Sequence, residues 1–216
     1  MLSAAVATAN HEGSVHYVVV EHAPSATQDI EGVVGSTDGE EIATQGADRL
    51  TILVKGNLSY VQASAPVLVG VLGLTSAAAR SVAGKWVVVA RGDKPFASLL
   101  TGVRFAAVLR QFTPTGALSA ANGPLVSGHH TVVITGGLAA GAPTGASGSL
   151  SVTVLDTSPH LLVRGSVTVT NAGGTVTQFA VFDSWGILTT FATPPHAASY
   201  ASLVRHRVKA AKSAKG

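Results

Sequence analysis

The strongest constraint in this chain is its punctuation: short runs rich in Val, Thr and Ile, broken at close intervals by Gly, Pro, Asn or Asp. Such a pattern leaves no room for long helices and favours an antiparallel sheet. Ser14 to Glu21 (Ser-Val-His-Tyr-Val-Val-Val-Glu) reads as a strand, and Asp29 to Gly35 as a second. A turn is predicted within Gly35 to Gly39, on Asp38-Gly39. Glu41 to Gly46, Arg49 to Lys55 and Leu58 to Gln62 follow, with a tight turn at Gly56-Asn57. The apolar set of Arg49 to Lys55 is nearly continuous, which predicts a strand covered on both faces in its middle.

The rhythm then changes. Pro66 suits the first position of a helix. Val67, Leu68, Val71 and Leu72 fall on one helical face, and Gly73 can end that helix. Thr75 or Ser76 can cap a second helix through Ala77, Ala78, Ala79 and Val82, ended by Gly84. Lys85 to Ala90 returns to a strand. Phe105, Val108, Leu109 and Phe112 then recur at the spacing of an amphipathic helix over Gly102 to Phe112.

The second half is strands again: His130 to Thr135, Ser149 to Leu155, Leu161 to Thr170 and Thr175 to Asp183. Asn171-Ala172-Gly173-Gly174 is a hairpin loop between the last two, and Gly136 to Gly148 reads as a loop. Strands, a helical middle, then strands make an α+β fold rather than an alternating one. An antiparallel sheet of eight or more strands tends to curl, and the apolar helices are natural plugs for its concave face. There is no internal repeat and no composition break, so one domain over residues 1–204 is expected, followed by a tail.

That tail explains the charge. The chain carries 14 Lys and Arg against 11 Asp and Glu. Arg205, Arg207, Lys209, Lys212 and Lys215 all fall in the last twelve residues, and every acid precedes them. The first 204 residues are therefore net negative by two, which argues against a folded nucleic-acid binder. The tail is expected to be disordered, with weak affinity for an anionic membrane surface. A hydrophobic share of 46% excludes a disordered chain, and the absence of cysteine excludes disulfides, a thiol nucleophile and thiolate metal sites. Met1 to Asn10 has neither a charged start nor a long apolar core, so no signal peptide is expected there. No run is apolar enough to span a membrane.

Catalytic patterns are scarce. Nucleophile-elbow, metalloprotease and phosphate-loop motifs are missing. Glu40-Glu41 reads as a solvated pair after a turn. His129 and His130, adjacent on a strand, would face opposite ways, and His16 and His22 would lie roughly 20 Å apart, so neither pair predicts a shared metal. No cofactor, metal or catalytic residue is assigned. An enzyme would require His16 or His160 to meet a carboxylate inside a cleft.

Several segments together carry a resemblance. They are Gly13-Ser14-Val15-His16 after a short Ala-rich helix, Leu58-Ser59-Tyr60-Val61 followed by Leu72-Gly73-Leu74, and Ala83-Gly84-Lys85-Trp86-Val87. Phe182-Asp183-Ser184-Trp185-Gly186 ahead of Ala192-Thr193-Pro194-Pro195 completes the set. In order and spacing, over about residues 3–195, the chain resembles the actinobacterial LppX/LprG-type lipoproteins, relatives of the LolA-like lipid carriers. It departs from them in lacking a lipobox cysteine, and in reading Asp183-Ser184 where the family tends to Ser-Asp.

The resemblance implies a half-open β-barrel: a strongly curved antiparallel sheet wrapping a few helices over an apolar cavity. It implies non-enzymatic carriage of a lipid or glycolipid in the cell envelope, on the periplasmic or secreted side. The two helical stripes, Val67, Leu68, Val71, Leu72 and Phe105, Val108, Leu109, Phe112, are the candidate lining. Arg104 and Arg110 beside the second stripe are the candidates for meeting a headgroup. The alternative is an envelope structural or protein-interaction module with a filled core and no ligand.

Overall fold

A computed structural model describes residues 1–138, 145–188 and 190–205. The chain opens with helix α1 (Leu2–Glu12), ended at Gly13 in the left-handed region. Five strands follow: β1 (Val15–Ala23), β2 (Ala26–Val34), β3 (Asp38–Gln45), β4 (Asp48–Lys55) and β5 (Leu58–Ala63). Helices α2 (Ala65–Leu72) and α3 (Ser76–Val82), strand β6 (Val87–Ala90), a 3-10 turn (Ser98–Leu100) and helix α4 (Phe105–Gln111) form the middle. Then come β7 (Thr115–Asn122), β8 (Thr131–Gly137), β9 (Ser147–Leu155), β10 (Leu162–Asn171), β11 (Gly174–Asp183) and the two-residue β12 (Ala198–Ser199). Residues 200–205 are helical.

The strands form one twelve-stranded sheet in the order β12-β6-β5-β4-β3-β2-β1-β11-β10-β9-β8-β7. It consists of two meanders, β1 to β6 and β7 to β11, joined where the first strand meets the eleventh from His16↔Asp183 to His22↔Thr177. Every pair is antiparallel except β12 on β6. The sheet does not close, and it has the curved half-barrel form expected for an α+β chain of this kind.

Local signals explain most boundaries. Pro66 sits in the first turn of α2, and Gly73 ends that helix with φ of 64°. The Thr75 side chain caps α3 by accepting from the Ala78 amide at 3.2 Å. Thr51, Ile52, Leu53 and Val54 of β4 are all buried, so this strand is covered on both faces. On the outer side, the chain after β11 returns across it, and Lys55 Nζ donates to the Phe191 carbonyl.

Other expectations shift. The turn expected on Asp38-Gly39 lies two residues earlier: the Gly35 amide donates to the Asp38 carbonyl at 2.8 Å, around Ser36 and Thr37. Asp38 and Gly39 are already in β3, paired with Lys55 and Val54. His129 and His130 lie outside the strand and are exposed: His129 closes a small bridge with Val126 around Ser127 and Gly128, and His130 links it to β8. β7 escaped the reading altogether. All eight of its residues are exposed, so it carries no alternation, and its register on β8 shifts between Thr115 and Ser119. The Gly136 to Gly148 stretch is partly strand, with residues 139–144 outside the described part. Residues 206–216, nearly all of the basic tail, also lie outside it.

Two hydrophobic cores occupy the inner side of the sheet. In one, Ala5 and Ala9 of α1 and Phe105, Val108, Leu109 and Phe112 pack on β1 and β8 to β11. Phe112 meets Phe182 edge-on at 5.3 Å, and Phe105 meets Trp185 at 6.2 Å, which gives the Phe-Asp-Ser-Trp-Gly segment its place in the fold. In the other, Leu68, Leu72, Leu74, Ala79 and Val82 pack on β4, β5 and β6.

Candidate functional site

Between the two cores lies a seam, built on β1, β2 and β3. Strand alternation turns Val15, Tyr17 and Val19 inward. The registers place Tyr17 opposite Gly32 and Gly32 opposite Glu41, one row across three strands. A Cβ on Gly32 would fall 2.4 Å from the Tyr17 ring, so only glycine lets that ring lie across β2 and reach β3. There the Tyr17 hydroxyl stands 2.6 Å from Glu41 Oε2 and 2.6 Å from the Gly102 carbonyl. At Gly102 a Cβ would fall on Glu41 Oε2, so a side chain there would displace the carboxyl. The sheet, a carboxyl and the segment leading into α4 are thus bound at one phenol.

Glu41 therefore corrects the reading of Glu40-Glu41 as a solvated loop pair. Both residues are on β3, and alternation sends Glu41 inward. Burial pushes its carboxyl above the ordinary carboxylate range, and the hydrogen bond from Tyr17 offsets this only in part. Burial, then the charge and hydrogen bond of Glu41, push the Tyr17 phenol far up as well. Nearby, Gln111 Nε2 donates to Gln178 Oε1 at 3.2 Å, and Gln178 Nε2 donates to Glu21 Oε2 at 2.6 Å.

The seam holds a cavity of about 220 Å³, with Ile30 and Ile52 on its sheet side and Val108 and Phe112 on its helix side. Two clefts adjoin it. One of about 430 Å³, lined by Val71, Leu72, Leu74, Tyr200 and Leu203, shares Ser98 with the seam. Another of about 310 Å³ contains Arg104 and Arg110 and shares Thr101.

The structure thus separates the candidate lining residues. Val71 and Leu72 line the 430 Å³ cleft, while Val108 and Phe112 line the seam. Leu68, Phe105 and Leu109 are buried in the cores, and Val67 packs against the core formed by α2 and α3. Arg104 donates to the Ser36 carbonyl at 2.9 Å and to the Gly56 carbonyl, tying α4 to two turns of the sheet. No hydrogen bond engages the Arg110 side chain among the described residues, and it is exposed. Sequence reasoning missed Tyr17, Glu41, Gln111 and Gln178. The signal available was glycine in mid-strand at Gly32, which marks a close approach.

His16 does meet carboxylates, but not in a cleft. It lies on the convex face, with Nδ1 2.8 Å from Asp183 and Nε2 3.2 Å from Glu31, both acids more than half exposed. Its pKa is raised: burial lowers it, but the hydrogen bonds and charges of Asp183 and Glu31 outweigh that. His160 Nδ1 instead hydrogen-bonds the Leu155 carbonyl. Among the described residues no group of three His, Asp or Glu is placed to hold a metal, and no helix is long and apolar enough to cross a membrane.

Glu41 and His16, raised by their surroundings, bind protons more tightly in the folded state, so stability is expected to fall as pH rises through their range. The Glu41 contribution is fully present below the ordinary 4.5 and is lost as pH climbs through its higher folded value. The His16 contribution is present below 6.5 and is lost above it. Urea unfolding from pH 5 to 9 checks this. The step above pH 6.5 should be no more than about 1 kcal/mol, because the partners are exposed, and His16→Gln should remove it. A profile rising across that range would contradict the assignment.

No protein-family model and no curated protein matches the chain. Among solved structures, it is similar to the crystal structure of LprF from Mycobacterium bovis, with a TM-score of 0.53 and 16% identity, over 89% of this chain and 96% of that one. At this identity the likeness establishes a shared fold, a curved half-barrel that does not close.

Proposed function

We propose that this chain is a non-catalytic binder and carrier of a lipid or glycolipid in the bacterial cell envelope. The observation that carries this reading is the seam cavity on the inner side of an unclosed sheet, with two clefts beside it that share Ser98 and Thr101 with its lining. The largest falls within the size range of small-molecule sites. The mechanism is burial without bond chemistry. Each methylene removed from water contributes about 0.8 kcal/mol, so a sixteen-carbon chain gains up to roughly 12 kcal/mol before the cost of ordering it. On this reading Val71, Leu72, Val108 and Phe112 touch the ligand, while Leu68, Phe105, Leu109 and Val67 shape the walls behind. Arg110, whose side chain no hydrogen bond engages among the described residues, is the cation at the outer cleft for a headgroup, and Arg104 holds that cleft's frame. The basic residues from Arg205 to Lys215 are proposed to meet an anionic membrane surface, on their charge alone.

Native mass spectrometry followed by organic extraction tests the reading. A near-stoichiometric lipid is expected. Ile30→Trp, which fills the sheet side of the seam, should cut the recovered lipid about fivefold or more with the fold intact by circular dichroism. A clean apo mass with no uptake of added lipid would favour a second reading, an envelope interaction module. That reading draws on the convex face, where Val18, Phe179 and Val181 stand exposed on β1 and β11.

A further inference from the structure

Strand alternation that turns Tyr17, Val19, Ala180 and Phe182 inward turns Val18, Val20, Phe179 and Val181 outward. The register sets these four side by side on the convex face, Val18 against Val181 and Val20 against Phe179. Val18, Val181 and Phe179 are 37%, 47% and 52% exposed, although they lie in the middle of the sheet and not at an edge. A contiguous apolar patch of this kind marks an interaction surface.

The two flanks of the patch differ. On β2, Glu31 lies beside Val18 and Asp29 beside Val20, both exposed. On β10, Arg164 lies beside Val181 and Ser166 beside Phe179. Across the strands, one row therefore runs Arg164, Val181, Val18, Glu31, and the next runs Ser166, Phe179, Val20, Asp29. Among the described residues no hydrogen bond engages the Arg164 side chain, and Glu31 meets His16 through Oε1 alone. A basic partner would set a like charge against Arg164, and an anionic membrane would set like charges against Glu31 and Asp29. The surface that fits carries the same order reversed, and the chain itself supplies it. A twofold axis parallel to β1, running between β1 and β11 in the plane of contact, lays each row on its own reverse. Arg164 then meets Glu31 of the second copy, Val181 meets its Val18, Phe179 its Val20 and Ser166 its Asp29, each contact made twice.

We propose that the convex face over β1, β2, β10 and β11 is the interface of a symmetric homodimer. The face curves away on both sides, so contact ends at about these strands. The interface is then smaller than the roughly 800 Å² per partner of a standard complex, which makes the dimer weak and dependent on concentration. The cavity lies on the opposite side of the sheet, so the inference does not depend on the carrier reading.

Sedimentation equilibrium of the full chain in low salt, from about 5 to 500 µM, tests it. A monomer is expected at the low end and a dimer, with nothing larger, at the high end. Phe179→Asp, at an exposed position, should keep the fold by circular dichroism and remove the dimer throughout the range. Arg164→Glu should weaken association about tenfold by setting a like charge against Glu31, and adding Glu31→Arg should restore it to within about threefold. That exchange reads the interface whether or not Phe179→Asp folds. A monomer at every concentration, assembly beyond a dimer, a dimer that survives Phe179→Asp, or no recovery on exchanging the charges would overturn the inference. So would a monomer whose binding to phosphatidylglycerol vesicles is lost in Phe179→Asp, which would assign the face to a membrane.

Discussion

Replacing Phe112 by alanine is expected to lower the unfolding free energy by about 3–5 kcal/mol. Phe112 is 1% exposed, stacks edge-on against Phe182, and covers Gly165, where a Cβ would come within 2.5 Å of the ring. Its neighbours belong to α4 and to the rigid ladder of β10 and β11, so collapse into the vacated space is limited. Leu68→Ala should cost about 2–5 kcal/mol in the other core. The two cores share no buried residue, so the double variant should be additive within about 0.5 kcal/mol. Denaturant unfolding checks both points. A coupling well above that value would mean that the two cores act as one.

Gly32→Ala is expected to cost about 3 kcal/mol, from overpacking against the Tyr17 ring and from the hydrogen bonds that ring loses when it is pushed aside. The melting temperature should fall by about 6–12 °C for a chain of this size. Tyr17→Leu removes the obstacle, so adding Gly32→Ala to it should cost less than about 1 kcal/mol. If Gly32→Ala were equally harmful in both backgrounds, the ring would not be what constrains position 32. The cost would then lie in the strand backbone itself.

These two sites show where the sequence is readable. The spacing of Phe105, Val108, Leu109 and Phe112 announces a buried helical face because each helix position has a fixed direction. Gly73 and Thr75 mark helix ends because cap chemistry is local. The unbroken apolar run of β4 reports that both its faces are covered. What escaped depends on partners distant in sequence. That the stripe on α2 and the stripe on α4 belong to different cores follows from the pairing of β1 with β11, which no local pattern encodes. Glu41 beside Glu40 looks like a wet pair until Gly32 and Tyr17 are set in register with it. β7, exposed along its whole length, has no hydrophobic face to read.

The junction of the two meanders bears on how the molecule comes into being. His16 and Asp183 pair across 167 positions, so the ribosome must deliver every strand from β1 to β11 before the middle of the sheet can zip shut. Until then the nascent chain is two incomplete meanders, each with an unpaired edge where the other will dock. Long-range pairing of this kind makes folding slow and late. Assembly of the sheet thus waits on a closing event once β11 has emerged, and a chain truncated before β11 would leave β1 with a bare edge that invites aggregation.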